Sequence, residues 1–158
     1  MGSLGFQELI LVLVLVGMLV PYIFFLLTLQ KALKVISPGN RTTEPGTVWL
    51  MLIPIVGAII LFIIANAIGS GFKREFDRYS VFKQGKPTYS LGVTLGVLVC
   101  VSFVNNIIST GFIITGLLGW AILIIWIAYW VQVNKTKNEL EKLKTTFNLE
   151  PGEQSIFI

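Results

Sequence analysis

Three long stretches without a charged residue dominate this chain, and they constrain its fold more than any other feature. Residues 48–69 contain no Asp, Glu, Lys or Arg. At ~1.5 Å per residue, a helix of that length crosses the ~30 Å hydrocarbon core of a bilayer. Residues 91–133 form an uncharged stretch long enough for two crossings, and the stretch between Glu8 and Lys31 is long enough for one. The sequence therefore predicts an all-α membrane protein.

Composition leads independently to the same class. Hydrophobic residues make up 54% of the chain, charged residues 13%, and the mean hydropathy is +0.82. A soluble domain carries about a quarter charged residues, so a soluble fold does not fit. Because the apolar stretches use most of the chain, we expect residues 1–158 to form a single integral membrane domain in contact with the lipid bilayer.

The predicted fold is a four-transmembrane-helix bundle with cytoplasmic helical extensions. Its spans are expected at about residues 8–30, 48–69, 91–108 and 117–133. The first stretch could instead be a secretory signal, but it lacks the preceding positive residues and the small residues of a cleavage site. We place the turn between the third and fourth spans at residues 109–116, where Ser, Thr and Gly supply turn chemistry.

The second and fourth spans are each predicted to continue into water as an amphipathic helix. After the second span, apolar residues recur at the spacing of one helical face, and a tail helix at about residues 134–148 carries a similar apolar stripe. We expect these extensions to pack on each other or on a partner protein. An alternative is that the tail lies on anionic lipid. The predicted partner-docking residues are Phe72, Phe76, Tyr79, Leu140, Leu143 and Phe147.

The distribution of Lys and Arg predicts the orientation in the membrane. The first connection carries three basic residues, the second carries five, the third none, and the tail four. With four spans, the second connection and the tail share one side, which gives nine basic residues against three. Because basic residues accumulate on the cytoplasmic side, we expect both the N- and C-termini to be cytoplasmic.

The first connection contains a motif that reads NR, then PG, then VWL and IP, with a charged EF pair after the second span. In this pattern the chain resembles an uncharacterised bacterial family of small multi-span membrane proteins. The resemblance implies a location in the bacterial cytoplasmic (inner) membrane and brings no established activity. The residues that carry it are Asn40, Arg41, Pro45, Gly46, Val48, Trp49, Leu50, Leu52, Ile53, Pro54, Glu75 and Phe76. Of these, the predicted loop motif consists of Asn40, Arg41, Pro45 and Gly46.

No combination of residues that carries chemistry is visible in the sequence. The chain has no His and one Cys, Cys100, which makes a metal site or a bound cofactor unexpected. The only acidic residue beside a predicted span, Glu8, is placed to interact with the dipole of its helix. Because the basic residues flank spans, we expect them to orient the protein and not to bind nucleic acid. We therefore predict no catalytic residue and no enzyme activity.

Small and amide residues within the spans are predicted to pack helices together. Residues 92, 96 and 100 are small and recur every four positions, a spacing that lets two helix backbones approach closely. Amides in a bilayer seek hydrogen-bond partners on neighbouring helices. The predicted packing residues are Asn66, Gly92, Gly96, Cys100, Asn105 and Asn106.

These features together favour a non-enzymatic function. We expect an integral membrane subunit or scaffold of a larger membrane protein assembly, with other membrane subunits or copies of itself as partners. The alternative is a small homo-oligomeric channel or transporter in which Asn66, Asn105 and Asn106 line the path. In a channel these amides should face a common axis.

Overall fold

A computed structural model of the protein describes residues 5–81, 85–108 and 111–149. Within these ranges the chain forms four α-helices, and two 3-10 helices, Pro38–Asn40 and Pro45–Leu52, lie between the first two of them. All four α-helices are long and apolar enough to cross a membrane, which confirms the predicted all-α four-span bundle. The α-helices are α1 (Phe6–Val35), α2 (Pro54–Arg78), α3 (Tyr89–Ile108) and α4 (Phe112–Leu149).

The last helix differs from its prediction in both extent and start. Helix α4 is 38 residues long and joins the predicted fourth span and the predicted tail helix without a break. Thr115 and Gly116, where we predicted part of a turn, lie inside this helix. In lipid the backbone has no water to bond to, so Thr and Gly remain helical there more readily than in a soluble protein. Gly111, another predicted turn residue, lies just before the helix, and Ser109 and Thr110 lie outside the described residues.

Helices α1 and α4 run side by side in the same direction. The rings of Phe25 and Trp126 are 5.5 Å apart, and further along, Trp130 Nε1 donates a hydrogen bond to Thr28 Oγ1 at 2.9 Å. At the end of α1, the Val35 carbonyl accepts a hydrogen bond from Lys144. The contacts thus advance together along both helices, as parallel packing requires.

Helix α3 runs in the opposite direction against α2, and glycines allow the two backbones to approach closely. A Cβ atom added at Gly92 would lie 2.6 Å from Ala65 Cβ, and one added at Gly96 would lie 2.7 Å from the Phe62 ring. Contacts closer than 3.0 Å do not occur between real side chains of this kind. The α2–α3 interface therefore depends on glycine at both positions.

Helix α2 ends at the same end of the bundle as α1, although α2 directly follows α1 in the chain. The Ser37 backbone N–H donates a hydrogen bond to Glu75 Oε1 at 2.9 Å. The chain therefore has to return along the bundle before α2 begins. It does so in residues 45–53, the re-entrant segment, most of which is the 3-10 helix Pro45–Leu52.

The re-entrant segment is held against α1 and α2. Val48 and Met51 are buried, and Tyr22 of α1 donates a hydrogen bond from its hydroxyl to the Met51 carbonyl at 2.8 Å. A 3-10 helix rises ~2.0 Å per residue, so it covers the return path in fewer residues than an α-helix. Pro54 then starts α2, in the first-turn position where its missing N–H costs nothing. The predicted second span at 48–69 is corrected accordingly. Its first residues belong to the re-entrant segment, which runs opposite to α1, and only α2 runs in the direction of α1.

This return path changes the predicted topology. The end of α1, the end of α2 and the C-terminal half of α4 meet through Val35, Glu75 and Lys144, and we call this the basic end of the bundle. The prediction that the first connection lies opposite the second connection and the tail is wrong. Because α1 and α4 both run toward the basic end, the start of α1 and the end of α4 lie at opposite ends. The expectation that the chain enters and leaves the bundle on one face therefore does not hold for the described helices, and residues 1–4 and 150–158 lie outside the described ranges.

A substitution at Gly57 should show how tightly the re-entrant segment is packed. A Cβ atom at Gly57 would lie 2.6 Å from the Met51 carbonyl oxygen and 3.1 Å from its carbon, both backbone atoms that cannot rotate away. We expect Gly57→Val to lower the melting temperature of the purified protein by about 5 °C, the effect of about 2 kcal/mol of overpacking. The matched control is Gly46→Val at the start of the segment, where nothing lies within 4 Å. Equal melting temperatures for the two variants would contradict this packing.

Candidate functional site

The side chain of Glu75 is fully buried near the end of α2. Its Oε1 accepts hydrogen bonds from the Ser37 backbone N–H and from Asn40 Nδ2, each at 2.9 Å. Its Oε2 lies 3.2 Å from Lys144 Nζ. One carboxylate therefore connects the loop after α1 with α2 and α4. We call Ser37, Asn40, Glu75 and Lys144 the Glu75 cluster.

Lys144 connects the same three parts of the chain from the side of α4. Besides its ion pair with Glu75, its Nζ donates to the Val35 carbonyl at 2.6 Å and to Ser37 Oγ at 3.2 Å. The ammonium thus makes two hydrogen bonds, to Val35 and Ser37, and one ion pair, to Glu75. Val35 is the last residue of α1, where carbonyl groups lack helical partners and the helix dipole favours a cation. Lys144 thus caps α1 and also balances the charge of Glu75.

The predicted loop motif is divided between the Glu75 cluster and the re-entrant segment. Asn40 belongs to the cluster, and Arg41 Nη2 donates to the Ile36 carbonyl at 2.9 Å just beyond the end of α1. Pro45 and Gly46 begin the 3-10 helix that descends from the basic end. The motif therefore closes the end of α1 and starts the return path.

The Glu75 cluster has the geometry of a structural clamp. Glu75 Oε1 accepts two hydrogen bonds, and the buried Oε2 is compensated by the ion pair with Lys144 alone. Pairing of this kind is the condition for burying a charge without a large loss of stability. Glu75 was absent from the predicted site residues, although it belongs to the resemblance motif. A sequence feature could have identified it, since Glu75 lies on the same helical face as Phe72, Phe76 and Tyr79. An acidic residue within an apolar stripe requires a buried partner.

The small residues predicted to pack helices differ in their surroundings. Gly92 lies against Ala65 of α2 and also against Tyr129 of α4, whose ring atoms would be 3.0 Å from an added Cβ. Gly96 lies against Phe62, as described above. Cys100 is exposed, so the small-residue stripe contacts other helices at its first two positions and faces outward at the third.

The three amides predicted to pack helices do not meet at one place. Asn66 accepts a hydrogen bond from Lys86 Nζ at 3.0 Å, close to the basic end. Asn105 donates to Thr115 Oγ1 at 3.0 Å and so connects α3 with α4 near the opposite end. Asn106 donates to the Ser102 carbonyl of its own helix. The structure thus brings Asn105 to a helix–helix contact and does not place the three amides around a common axis within one chain.

The apolar residues of the two predicted extensions pack on each other within the chain. Phe72, Phe76 and Leu140 are buried, and Leu143 packs beside them. The rings of Tyr79 and Phe147 are 5.0 Å apart. The contact that we predicted either between the extensions or with a partner is therefore made between them. This leaves Phe72, Phe76 and Leu140 without surface for a docking protein.

The described residues show no group of three or more His, Cys, Asp or Glu side chains that could hold a metal ion. No protein-family model, curated protein or solved structure matches this chain. The resemblance to a bacterial membrane family stays a prediction.

Proposed function

We propose that the protein is a non-enzymatic integral membrane subunit, or scaffold, of a larger membrane protein assembly. The observation that supports this proposal is the N-terminal half of α1. Residues 6–20 are all exposed, whereas five residues in the C-terminal half of the same helix are buried in the bundle. Half of a transmembrane helix, about 22 Å long, is therefore available to another membrane protein.

The exposed half of α1 has the properties of an association surface inside the bilayer. Eight consecutive residues from Leu9 to Val16 are large aliphatic side chains, each 47–71% exposed. Helices in lipid associate mainly by close packing, so a helix that packs on its own bundle over only half its length has unused packing surface. A second chain that packs there would extend the bundle with no polar group to desolvate.

The same proposal includes a location and an orientation. Every Lys and Arg in the described ranges lies in the last turns of α1 or α2, in the adjoining loops or in the C-terminal half of α4, all at the basic end. Under the positive-inside rule this end is cytoplasmic, which puts the start of α1 on the other side of the membrane. The bacterial inner membrane is supported by the motif resemblance alone.

The arrangement of the amides gives the channel alternative less support than the assembly proposal. Asn66 is engaged near the basic end, and Asn105 is engaged near the opposite end. Asn66 lies on α2 and bonds to the loop before α3, whereas Asn105 lies on α3 and bonds to α4, so both amides already make contacts within the chain. A subunit held through α1 requires no such path.

A crosslinking experiment in native membranes tests the assembly proposal. We expect a photoreactive amino acid at each of residues 11–14, which together face every direction around α1, to form an adduct with a second protein chain from at least one position. The matched control is the same amino acid at Ile124, an equally lipid-facing position of α4 that is 61% exposed. It should give no protein adduct.

The result to be expected is a discrete adduct whose mass equals this chain plus one other membrane protein or a second copy. Lipid adducts alone at all four α1 positions would contradict a subunit held through α1. The same protein adducts from Ile124 and from α1 would show non-specific proximity, which also counts against the proposal.

A further inference from the structure

A cavity of about 670 Å³ lies between all four α-helices, roughly midway along α1. Its walls include Met18 and Tyr22 of α1, Leu61 of α2, Leu95 of α3 and Trp126 of α4. The volume is in the range of ~300–1,000 Å³ that small-molecule sites occupy. The cavity is separate from the Glu75 cluster, and it adjoins the exposed half of α1 only at its last residues, Gly17 to Leu19.

Three glycines on three different helices line this space, and two of them leave it open. Gly17 of α1, Gly57 of α2 and Gly119 of α4 all line the cavity. A Cβ atom added at Gly17 or Gly119 would meet nothing within 4 Å, so both positions open directly into free space. Gly57 differs, because it is packed against the re-entrant segment. The cavity thus depends on Gly17 and Gly119, and no contact with a neighbouring atom forces either residue to be glycine.

The cavity opens onto the lipid-facing surface of the bundle. Met18, Leu19 and Leu123 line it and are themselves 73%, 44% and 44% exposed. By contrast Leu61 and Leu95, on the inner wall, are only 5% and 2% exposed. A molecule that reaches the inner wall therefore has to enter from the bilayer through the cavity mouth.

The chemistry of the walls selects hydrocarbon. No lining residue is charged, and the Tyr22 hydroxyl is already bonded to the Met51 carbonyl. Two methionines, Met18 and Met51, contribute flexible side chains that adapt to an irregular apolar chain. At this depth of a membrane-spanning bundle the surrounding medium is acyl chains, and the walls offer no charged side chain that would offset the cost of burying a charged ligand.

We propose that this cavity is a binding site for one acyl chain of a membrane lipid, which enters sideways from the bilayer and reaches Leu61 and Leu95. The site would make lipid a specific ligand of the protein and not only its solvent. The proposal does not rest on the assembly role, since it needs no second protein and its inner wall lies on α2 and α3, away from the Leu9–Val16 surface of α1.

Photolabelling in nanodiscs tests this site with a defined probe. The probe is a phosphatidylglycerol whose acyl chain carries a diazirine near its end, diluted into unlabelled phosphatidylglycerol around the purified protein. We expect label on Leu61 and Leu95, which the bulk bilayer does not contact. An added Cβ at Gly119 meets nothing within 4 Å, and the residue lines the cavity, so we expect the side chain of Gly119→Leu to enter it. Label at Leu61 and Leu95 should then fall about tenfold, since the new side chain displaces several methylene groups of the bound chain.

The matched control is Gly116→Leu, one turn earlier on α4, where nothing lies within 4 Å and the residue does not line the cavity. Its labelling of Leu61 and Leu95 should equal that of the unaltered protein. Gly17→Leu fills the cavity from α1, so it gives a second test if Gly119→Leu is not monodisperse. Label restricted to outward residues such as Ile124, or equal label at Leu95 in all variants, would overturn the proposal.

Discussion

Replacing Glu75 by alanine should lower the melting temperature of the detergent-purified protein by about 10 °C. Removing one partner of a buried ion pair costs about 3–5 kcal/mol, and for a chain of this size each kcal/mol corresponds to about 2–4 °C. The loss is large because Glu75 holds three parts of the chain at once, through Ser37, Asn40 and Lys144. Without it, the Lys144 ammonium and the Ser37 N–H lose an acceptor inside the protein.

Two further variants distinguish the stabilising effect of the Glu75 cluster from the effect of removing any negative charge from α2. Asp77→Ala removes an acidic residue two positions away that is exposed, and it should change the melting temperature by no more than about 1 °C. Glu75→Gln keeps the shape and one acceptor oxygen but loses the ion pair, so its melting temperature should fall between those of the other two. Equal effects of Glu75→Ala and Asp77→Ala would show that the cluster does not stabilise the fold.

The four-span fold could be predicted from sequence because lipid leaves few alternatives. In a bilayer the backbone has to satisfy its own hydrogen bonds, so an uncharged apolar stretch of sufficient length forms a helix. The amphipathic spacing of Phe72, Phe76 and Tyr79 likewise predicted that α2 extends beyond its apolar part. Both features are local, and each can be recognised from a short window of sequence.

The re-entrant segment could not be recognised from hydrophobicity, since an apolar 3-10 helix and an apolar α-helix have the same composition. One local feature did mark the boundary. Pro54 lies within the uncharged stretch, and proline favours the first turn of an α-helix over its interior. The prediction treated residues 48–69 as one span through Pro54. The predicted sides of the later connections and of the tail depended on that span and were therefore wrong relative to the first connection.

The Glu75 cluster could not be predicted from the sequence for a different reason. Asn40, Glu75 and Lys144 are far apart in the chain, and their meeting depends on α1, α2 and α4 running in the same direction. No window of sequence contains that information. The acidic residue within the apolar stripe of α2 indicates that a partner exists, but only the packing of the helices identifies which one.

The second large prediction concerns which side of the membrane each loop occupies, and its readout is all-or-none. In a background with Cys100 replaced by serine, we expect single cysteines at Thr42 and Asn138 to be protected together from a membrane-impermeant maleimide in intact cells. A cysteine at Gly5 should be labelled. All three positions are exposed in the structure, so protection reports the side of the membrane and not burial. Permeabilised cells, in which all three should react, provide the control.

Thr42 and Asn138 separate the two possible topologies directly, and Gly5 separates them a second time, because a single crossing at 48–69 would put Gly5 on the same side as Asn138. If residues 45–53 return along the bundle and α2 ascends again, the loop that holds Thr42 and the extension that holds Asn138 share the basic end, as the contact between Ser37 and Lys144 requires. If residues 48–69 formed a single crossing, the two positions would lie on opposite sides and one would react without the other. That outcome would refute the re-entrant segment. Reaction of Thr42 and Asn138 with protection of Gly5 would keep the fold and reverse its orientation, so that the basic residues would lie outside against the positive-inside rule.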